Sequence, residues 1–329
     1  MRQLEIPILL TLFAASASAQ SLNVRTSGLQ PPPSPSYGAA TGQAGVWNSY
    51  GPVLVDLSGA ATSVTLADNG VCDNGLCSFT GFGSDVAALF KGFLNGDCFQ
   101  FNHIFMSGLQ SGHYVLTAMD SPCQPYAASL QVSLSDGSYF SAASMGGTYA
   151  GSFDTMTLGS FEFQLAQGVV AQLSNIGYAS LSAFQLAKIE PPAVFCTSKV
   201  NSQGCTAKIA AIGNTASLSG ASPFHVIATD VVNDVPGLLF YGFAEDIKPF
   251  VGGLHCVKPP TPRTFGQFSG GNGVPCGGTF DLDFNAWLTT QPQPTVRAGA
   301  RIYAQYWYRD VNDPFGSDTS DAVSFHVVH

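Results

Sequence analysis

Short runs in which β-branched and aromatic residues alternate with polar ones recur along the chain, each closed by a turn rich in Gly, Ser, Asn or Pro. A period of two places successive side chains on opposite faces of a strand, so these runs predict half-buried β-strands rather than amphipathic helices. They fall at Val53–Leu57, Ser63–Leu66, Gln100–Met106, His113–Met119, Ser129–Leu134, Thr155–Leu165 and Ser182–Ile189. They resume at Ser222–Val232, Gly237–Phe243, Thr279–Phe284, Ala300–Arg309 and Ala322–Val328. The helical pattern is confined to Asp85–Leu94. Many short strands with regular turn signals predict an all-β protein of sandwich or jelly-roll type.

The densest of these patterns is Gly299–Val328. Arg301–Arg309 and Ala322–Val328 read as two strands, and the segment between them carries Pro314, Gly316 and four aspartates, Asp310, Asp313, Asp318 and Asp321. Elsewhere Gly252-Gly253, Pro259-Pro260, Gly270-Gly271 and Gly277-Gly278 mark turns. Glu190-Pro191-Pro192 interrupts the strand pattern, because neither proline can donate to a ladder. The boundary between two domains is placed there. The expected organisation is a leader over 1–19, a Pro-rich extended lead-in over 20–36, a jelly-roll-like domain over 37–190 and a second β-sandwich over 191–329.

Composition narrows the class. Charged residues make up 10% of the chain, while 45% is hydrophobic and 24 residues are Phe. That balance suits a folded, extracellular β protein and excludes a disordered one. The net charge of −9 argues against nucleic-acid and anionic-membrane partners, which require basic patches. Arg2, the apolar run Ile6–Ala14 and the small-residue pattern Ala17-Ser18-Ala19 read as a secretory leader. No later run is long and apolar enough to span a bilayer as a helix. The chain has no Asn-x-Ser/Thr acceptor, which points toward a bacterial source.

The cysteines then change the picture. Cys72, Cys77, Cys98 and Cys123 lie before the boundary, and Cys196, Cys205, Cys256 and Cys276 after it. An even number in a secreted chain reads as disulfides, two per domain. Zinc would want paired short spacings, and only Cys72-x4-Cys77 approaches one. Pairing of sequence neighbours (72–77, 98–123, 196–205, 256–276) is the simplest of three connectivities per domain.

Candidate chemistry is thin. There is no G-x-S-x-G elbow and no H-E-x-x-H motif. His103, His113, His225 and His326 sit within strand patterns, where structural roles are the rule. A glycosidase needs two carboxylates on one cleft. After the leader only Glu162, Glu190 and Glu245 supply Glu, and Asp281 and Asp283 share one strand face. That pair reads as an acid/base pair, a calcium site or a solvated face. Asp310, Asp313, Asp318 and Asp321 read either as oxygen ligands for Ca²⁺ or as turn-capping side chains. Trp47 reads as a core plug or a ligand platform.

Two resemblances add to this. YGAATGQAGVWN at Tyr37–Asn48, SGLQSGHYVLTAM at Ser107–Met119 and SAFQLAKI at Ser182–Ile189 resemble the galactose-binding-domain-like jelly rolls of secreted bacterial proteins. CTSKVNSQGC at Cys196–Cys205, GLLFYG at Gly237–Gly242, PFVGGLHCVKPPTPRT at Pro249–Thr264, DFN at Asp283–Asn285 and AGARIYAQYWYRDVNDPFGSDTSDAVSF at Ala298–Phe325 form a second set. They resemble a C-terminal accessory module on secreted proteins of planctomycete-type bacteria. The first resemblance implies glycan recognition at loop tips; the second implies a β-sandwich with no established activity. The expectation is a secreted, non-catalytic binding or surface-display protein whose partner is an extracellular glycan or cell surface. A polysaccharide-active hydrolase and a structural matrix or envelope component are the alternatives.

Overall fold

The chain is all-β. The computed structural model describes residues 20–329 except 27–30, 69–71, 77–82, 91, 96–102, 121–127, 139, 148, 151, 154–155, 177–179, 214 and 221. The first half runs β1 (Leu22–Arg25), β2 (Trp47–Ser49), β3 (Thr65–Asp68), β4 (Cys72–Leu76), α1 (Ser84–Phe90), β5 (Gly92–Asn95), β6 (His103–Ser107), β7 (Gly112–Asp120), β8 (Ala128–Leu134), β9 (Phe140–Gly147), β10 (Met156–Thr157), β11 (Gly159–Leu165), β12 (Ala171–Ile176) and β13 (Ser180–Lys188). The second runs β14 (Ala193–Phe195), β15 (Lys208–Gly213), β16 (Ala216–Ser217), β17 (Phe224–Val231), β18 (Pro236–Gly242), β19 (Glu245–Phe250), β20 (Gly253–Val257), β21 (Gln267–Phe268), β22 (Gly278–Asp283), α2 (Phe284–Thr290), β23 (Arg301–Arg309) and β24 (Ser317–Val328). Among the described residues no ladder joins a strand before Glu190 to one after it.

The first half is a sandwich of a seven-stranded sheet, in order β11-β7-β13-β1-β2 with β5 and β4 attached to β13, and a six-stranded sheet, β10-β9-β8-β12-β6-β3. Alternate residues explain the layering. Leu22 and Val24, Tyr114, Leu116 and Ala118, Phe161 and Phe163, and Phe184 and Leu186 leave one sheet to meet Ile104, Met106, Leu130, Val132 and Leu173 of the other. Four expectations change here. Val53–Leu57 forms no strand, only an isolated bridge from Val55 to Ala61, and the helix expected over Asp85–Leu94 ends at Phe90, with Gly92–Asn95 a strand. Thr155–Leu165 is two strands, β10 and β11, which belong to different sheets. Where the chain crosses between them Gly159 is required, because a Cβ there would stand 2.8 Å from Met145. The lead-in over 20–36 also contains packed structure. Leu22–Arg25 is fully integrated between β13 and β2, with Leu22 and Val24 at 0% exposure. Four residues are too few for a periodic signal to stand out. Trp47 is a core plug: it is buried with Phe90, Met119 and Tyr149, and its indole N–H donates to the Tyr37 carbonyl at 3.0 Å.

The second half packs the sheet β14-β24-β23-β18-β21, with β16 added beside β24, on the sheet β15-β17-β22. Ile302, Ala304, Tyr306 and Tyr308 point into the core with Leu239, Tyr241, Val323 and Phe325, opposite Ile209, Phe224, Val226, Phe280 and Leu282. Tyr306 stacks on Phe280 at 5.2 Å, and its hydroxyl donates to the Val226 carbonyl of the facing sheet at 2.9 Å. Buried phenols need such partners, since an unsatisfied hydroxyl costs about 1–3 kcal/mol.

Three sequence expectations are corrected in this half. Thr279–Phe284 ends as a strand at Asp283, which caps α2: its carboxylate accepts from Ala286 N at 3.1 Å. The β24 strand begins at Ser317, five residues before the expected start, so Asp318 and Asp321 are strand residues. Disulfides join Cys196 to Cys256 and Cys205 to Cys276, so the neighbour pairing 196–205 and 256–276 does not occur. The bonds join the end of β14 to β20 and one loop to another, across separations of 60 and 71 residues that the tertiary fold closes. Cys72, Cys77, Cys98, Cys123 and the leader lie outside the described residues or their side chains.

Candidate functional site

β23 has two aromatic faces. Its inward face supplies the core. Its outward face presents Arg301, Tyr303, Gln305, Trp307 and Arg309, because a period of two groups odd positions together. On the neighbouring β18, Leu238 stands opposite Trp307 and Phe240 opposite Gln305. Arg263 bridges Phe240 from the other side. Its position is fixed by main chain on both flanks: Tyr241 N donates to Pro262 O at 3.0 Å, and Thr264 N to Leu239 O at 2.9 Å. Directly paired residues project to the same face, so Trp307, Leu238, Phe240 and Arg263 form one outward surface.

The hairpin β19–β20 stands over this surface as a wall. Gln305 holds it: Cys256 N donates to Gln305 Oε1 at 3.0 Å, and Gln305 Nε2 donates to the Leu254 and Ser320 carbonyls at 3.1 and 2.7 Å. Thr319 Oγ1 adds a bond to the Leu254 carbonyl at 3.1 Å, and the Cys196–Cys256 disulfide ties the same strand to β14. At the tip, Gly252 adopts φ +76° and lies so close to the Phe315 ring that a Cβ would sit 2.3 Å from it. Lys199 covers the same ring at 5.0 Å and pairs with Asp313 at 2.6 Å.

Between wall and sheet lies a cavity of about 350 Å³. Leu238, Phe240 and Trp307 line it from the sheet, Phe250 and His255 from the hairpin, and Thr261 and Arg263 from the edge. His255 lies flat on Phe240 at 4.9 Å with an interplanar angle of 11°, and Phe250 meets His255 edge-on at 5.6 Å. Burial holds the His255 imidazole below its ordinary pKa, so it is neutral at neutral pH. Arg309 lies over the Trp307 ring at 5.3 Å and orients it. Among the described residues no carboxylate lines this cavity. It therefore combines flat apolar rings with a few donors at the rim, the composition of small-ligand sites. Such a site stacks a ligand and hydrogen-bonds its edges.

The residues singled out from sequence lie elsewhere. Asp310 is buried and accepts from Ser202 N at 2.8 Å and Ser202 Oγ at 2.5 Å. Asp313 accepts from Lys199 and from Phe315 N, and the lysine bond is the main reason its pKa is held down. Asp318 accepts from Tyr308 OH at 3.1 Å and Thr319 N at 2.7 Å, and burial pushes its pKa up to about 6. Asp321 accepts from Ser198 N at 2.9 Å. Each of these carboxylates accepts from a different protein donor. No cluster of three His, Cys, Asp or Glu with metal-binding geometry occurs among the described residues. Asp281 pairs with His225 at 2.6 Å, Asp283 caps α2, and Glu162 pairs with His113 at 2.8 Å.

Two further cavities of about 360 Å³ each flank Phe243 where the halves meet, and between them they contain one carboxylate, Asp56. His326 borders one of them; its Nδ1 accepts from Glu190 N at 3.2 Å, and burial lowers its pKa to about 4. Sequence reading passed over Trp307 and its neighbours. The available signal was that Trp307 shares parity with Arg301 and Arg309, the polar face of the strand, while the inward face was already apolar without it.

No family model and no curated protein matches the chain, and the expected kinship of residues 196–329 with a planctomycete-type accessory module finds no support there. Solved structures match weakly. A family 35 carbohydrate-binding module from Clostridium thermocellum is 14% identical over 37% of this chain and 90% of its own, with a TM-score of 0.26. The CBM35 from Cellvibrio japonicus Abf62 is 19% identical over 38% of this chain and 93% of its own, at 0.25. The CBM22-1-CBM22-2 tandem domain of Paenibacillus barcinonensis Xyn10C is 11% identical over 79% of this chain and 93% of its own, at 0.26. Scores of this size leave the architecture to be read from the sheets themselves.

Proposed function

We propose that this is a secreted, non-catalytic carbohydrate-binding protein and that the cleft beneath β19–β20 is its ligand site. The observation that carries the reading is Trp307, an outward-facing indole in a preformed cavity beside the Phe240–His255 stack. A pyranose ring has an apolar C–H face and a hydroxyl-bearing edge. The face gains by lying on a flat aromatic ring, and the edge requires donors and acceptors in reach. Trp307 and Phe240 offer the first, and Thr261, Arg263 and His255 the second. A rigid wall lowers the entropy lost on binding.

Secretion is supported by the leader pattern at Ala17-Ser18-Ala19 and by the two disulfides. The non-catalytic reading is supported by the separate structural roles of Asp281, Asp283 and Glu162. On this reading binding does not require calcium, because Asp310, Asp313, Asp318 and Asp321 do not line the cleft. The test is a glycan-array screen of the oxidised chain, followed by titration of each hit with wild type and Trp307→Ala. A loss of at least tenfold in the variant, unchanged by EDTA, is expected. Hits that bind the variant equally well would place recognition elsewhere, and a blank array would count against a glycan ligand.

A further inference from the structure

We infer that the cleft selects glycans bearing an anionic substituent, a carboxylate or a sulfate ester, and that Arg263 is the residue that reads it. The inference rests on the carbohydrate reading of the same cleft. Its starting point is an imbalance. The chain carries net charge −9, yet the described residues that line the cleft include Arg263 and no acid; the nearest one on the hairpin, Asp246, is paired with Lys248, and Arg309 lies over the Trp307 ring. Three other cations of this half are engaged by neighbours: Lys199 by Asp313, Lys248 by Asp246 at 2.6 Å, and Arg301 by Ser324 Oγ at 3.0 Å. Among the described residues Arg263 enters no ion pair. Its side chain is exposed, and it borders the cavity.

A surface arginine without a partner is common, but this one is placed. Pro262 and Thr264, on either side of it, are both bonded to β18, so the stem of the side chain starts from a fixed point beside Phe240. The guanidinium is a planar fork of donors that matches two oxygens of a carboxylate or sulfate. Apolar walls formed by Leu238, Phe240 and Trp307 reduce local screening, which strengthens an ion pair formed there relative to one in open solvent. His255 adds no competing charge near neutral pH. A sugar stacked on Trp307 with an acidic group directed to the Arg263 edge would meet both features at once. A neutral sugar would offer the guanidinium only hydroxyl acceptors, which make weaker bonds than a charged pair of oxygens.

The test uses the oxidised chain and matched oligosaccharides of gluco, galacto and manno configuration, each in neutral, uronate and sulfated form. Titrations compare wild type, Arg263→Gln, Arg263→Lys and Trp307→Ala at low and high salt. In at least one series the anionic form is expected to bind about tenfold more tightly than its neutral counterpart, a gap that shrinks with salt. Arg263→Gln should close the gap with the melting temperature unchanged, since the side chain is exposed, and Arg263→Lys should close it in part. Whether uronate or sulfate shows the larger gap identifies the substituent. Equal binding of neutral and anionic forms that Trp307→Ala abolishes would overturn the selectivity and leave the carbohydrate reading standing. A gap that survives Arg263→Gln would overturn the role of Arg263. Failure of every series to bind wild type would remove both.

Discussion

The two faces of β23 are built from similar residues and have opposite fates. Inward, Tyr306 and Tyr308 are at 0% exposure, with their hydroxyls committed to Val226 O and Asp318. Outward, Trp307 lies between them in sequence and opens onto a cavity. The difference is what faces each side. The inward face meets a second sheet that fills every position. The outward face is covered piecemeal: Tyr303 meets Phe195, the hairpin is anchored at Gln305, and Trp307 beyond it borders the cleft. Aromatic content therefore says little about function until the covering element is known. The inward face carries stability, and the outward face is the one proposed to carry recognition.

That contrast can be broken experimentally. The largest effect is expected from Tyr306→Ala, which removes a buried ring stacked on Phe280 and a cross-sheet hydrogen bond; unfolding free energy should fall by about 4 kcal/mol in denaturant titration. Trp307→Ala, one residue on, should change stability by less than about 1 kcal/mol while abolishing ligand binding. Comparable destabilisation by both would mean that the outward face is structural too.

Removing the wall is the next test. Cys196→Ser with Cys256→Ser frees β20 from its covalent tie across 60 residues and should cost about 3 kcal/mol. Because His255 and Phe250 lose their anchor, affinity should fall by about tenfold as well. A destabilised variant with unchanged affinity would show that the hairpin does not shape the site.

His326 gives a somewhat smaller, pH-dependent effect. Burial lowers its folded pKa to about 4 from an ordinary 6.5. The unfolded chain therefore binds more protons between these values, so stability falls as pH drops from 6.5 toward 4, by up to about 3 kcal/mol. Asp318 acts in the opposite sense. Its folded pKa of about 6 is raised above the unfolded value of 3.8, so its contribution is fully present below 3.8 and is lost as pH rises through 6. His326→Gln should flatten the acid loss seen by thermal melting between pH 6.5 and 4. Asp318→Asn should steepen the net acid loss, because it removes the offsetting gain. The smallest expected effect is none: EDTA should leave affinity and melting temperature unchanged, and a shift in either would place a divalent cation in the fold.

Much of the architecture was legible in the sequence because strand periodicity is local. The β7, β17, β18 and β23 runs follow directly from alternation. Elements set by tertiary contact were not legible. Leu22–Arg25 is a strand because β13 and β2 flank it, and Phe284–Thr290 is a helix because Asp283 caps it. The disulfide partners follow from which loops and strand ends the fold brings together. The cleft was hidden for the same reason: it joins Trp307, Phe240, His255 and Arg263 from four segments, and only the parity of Trp307 hinted that its side chain faces outward. The aspartates drew attention as a cluster in sequence, yet the fold sends each to its own donor.

The most direct test of the central claim uses the chain's own indoles. There are three tryptophans, and Trp47 and Trp287 are buried at 3% and 2% exposure while Trp307 lines the cleft. Titrating a glycan-array hit into the protein should shift intrinsic fluorescence in a saturable way, and Trp307→Phe should remove that response while the melting temperature stays within a few degrees. A response that persists in Trp307→Phe would place the ligand away from this cleft and contradict the account.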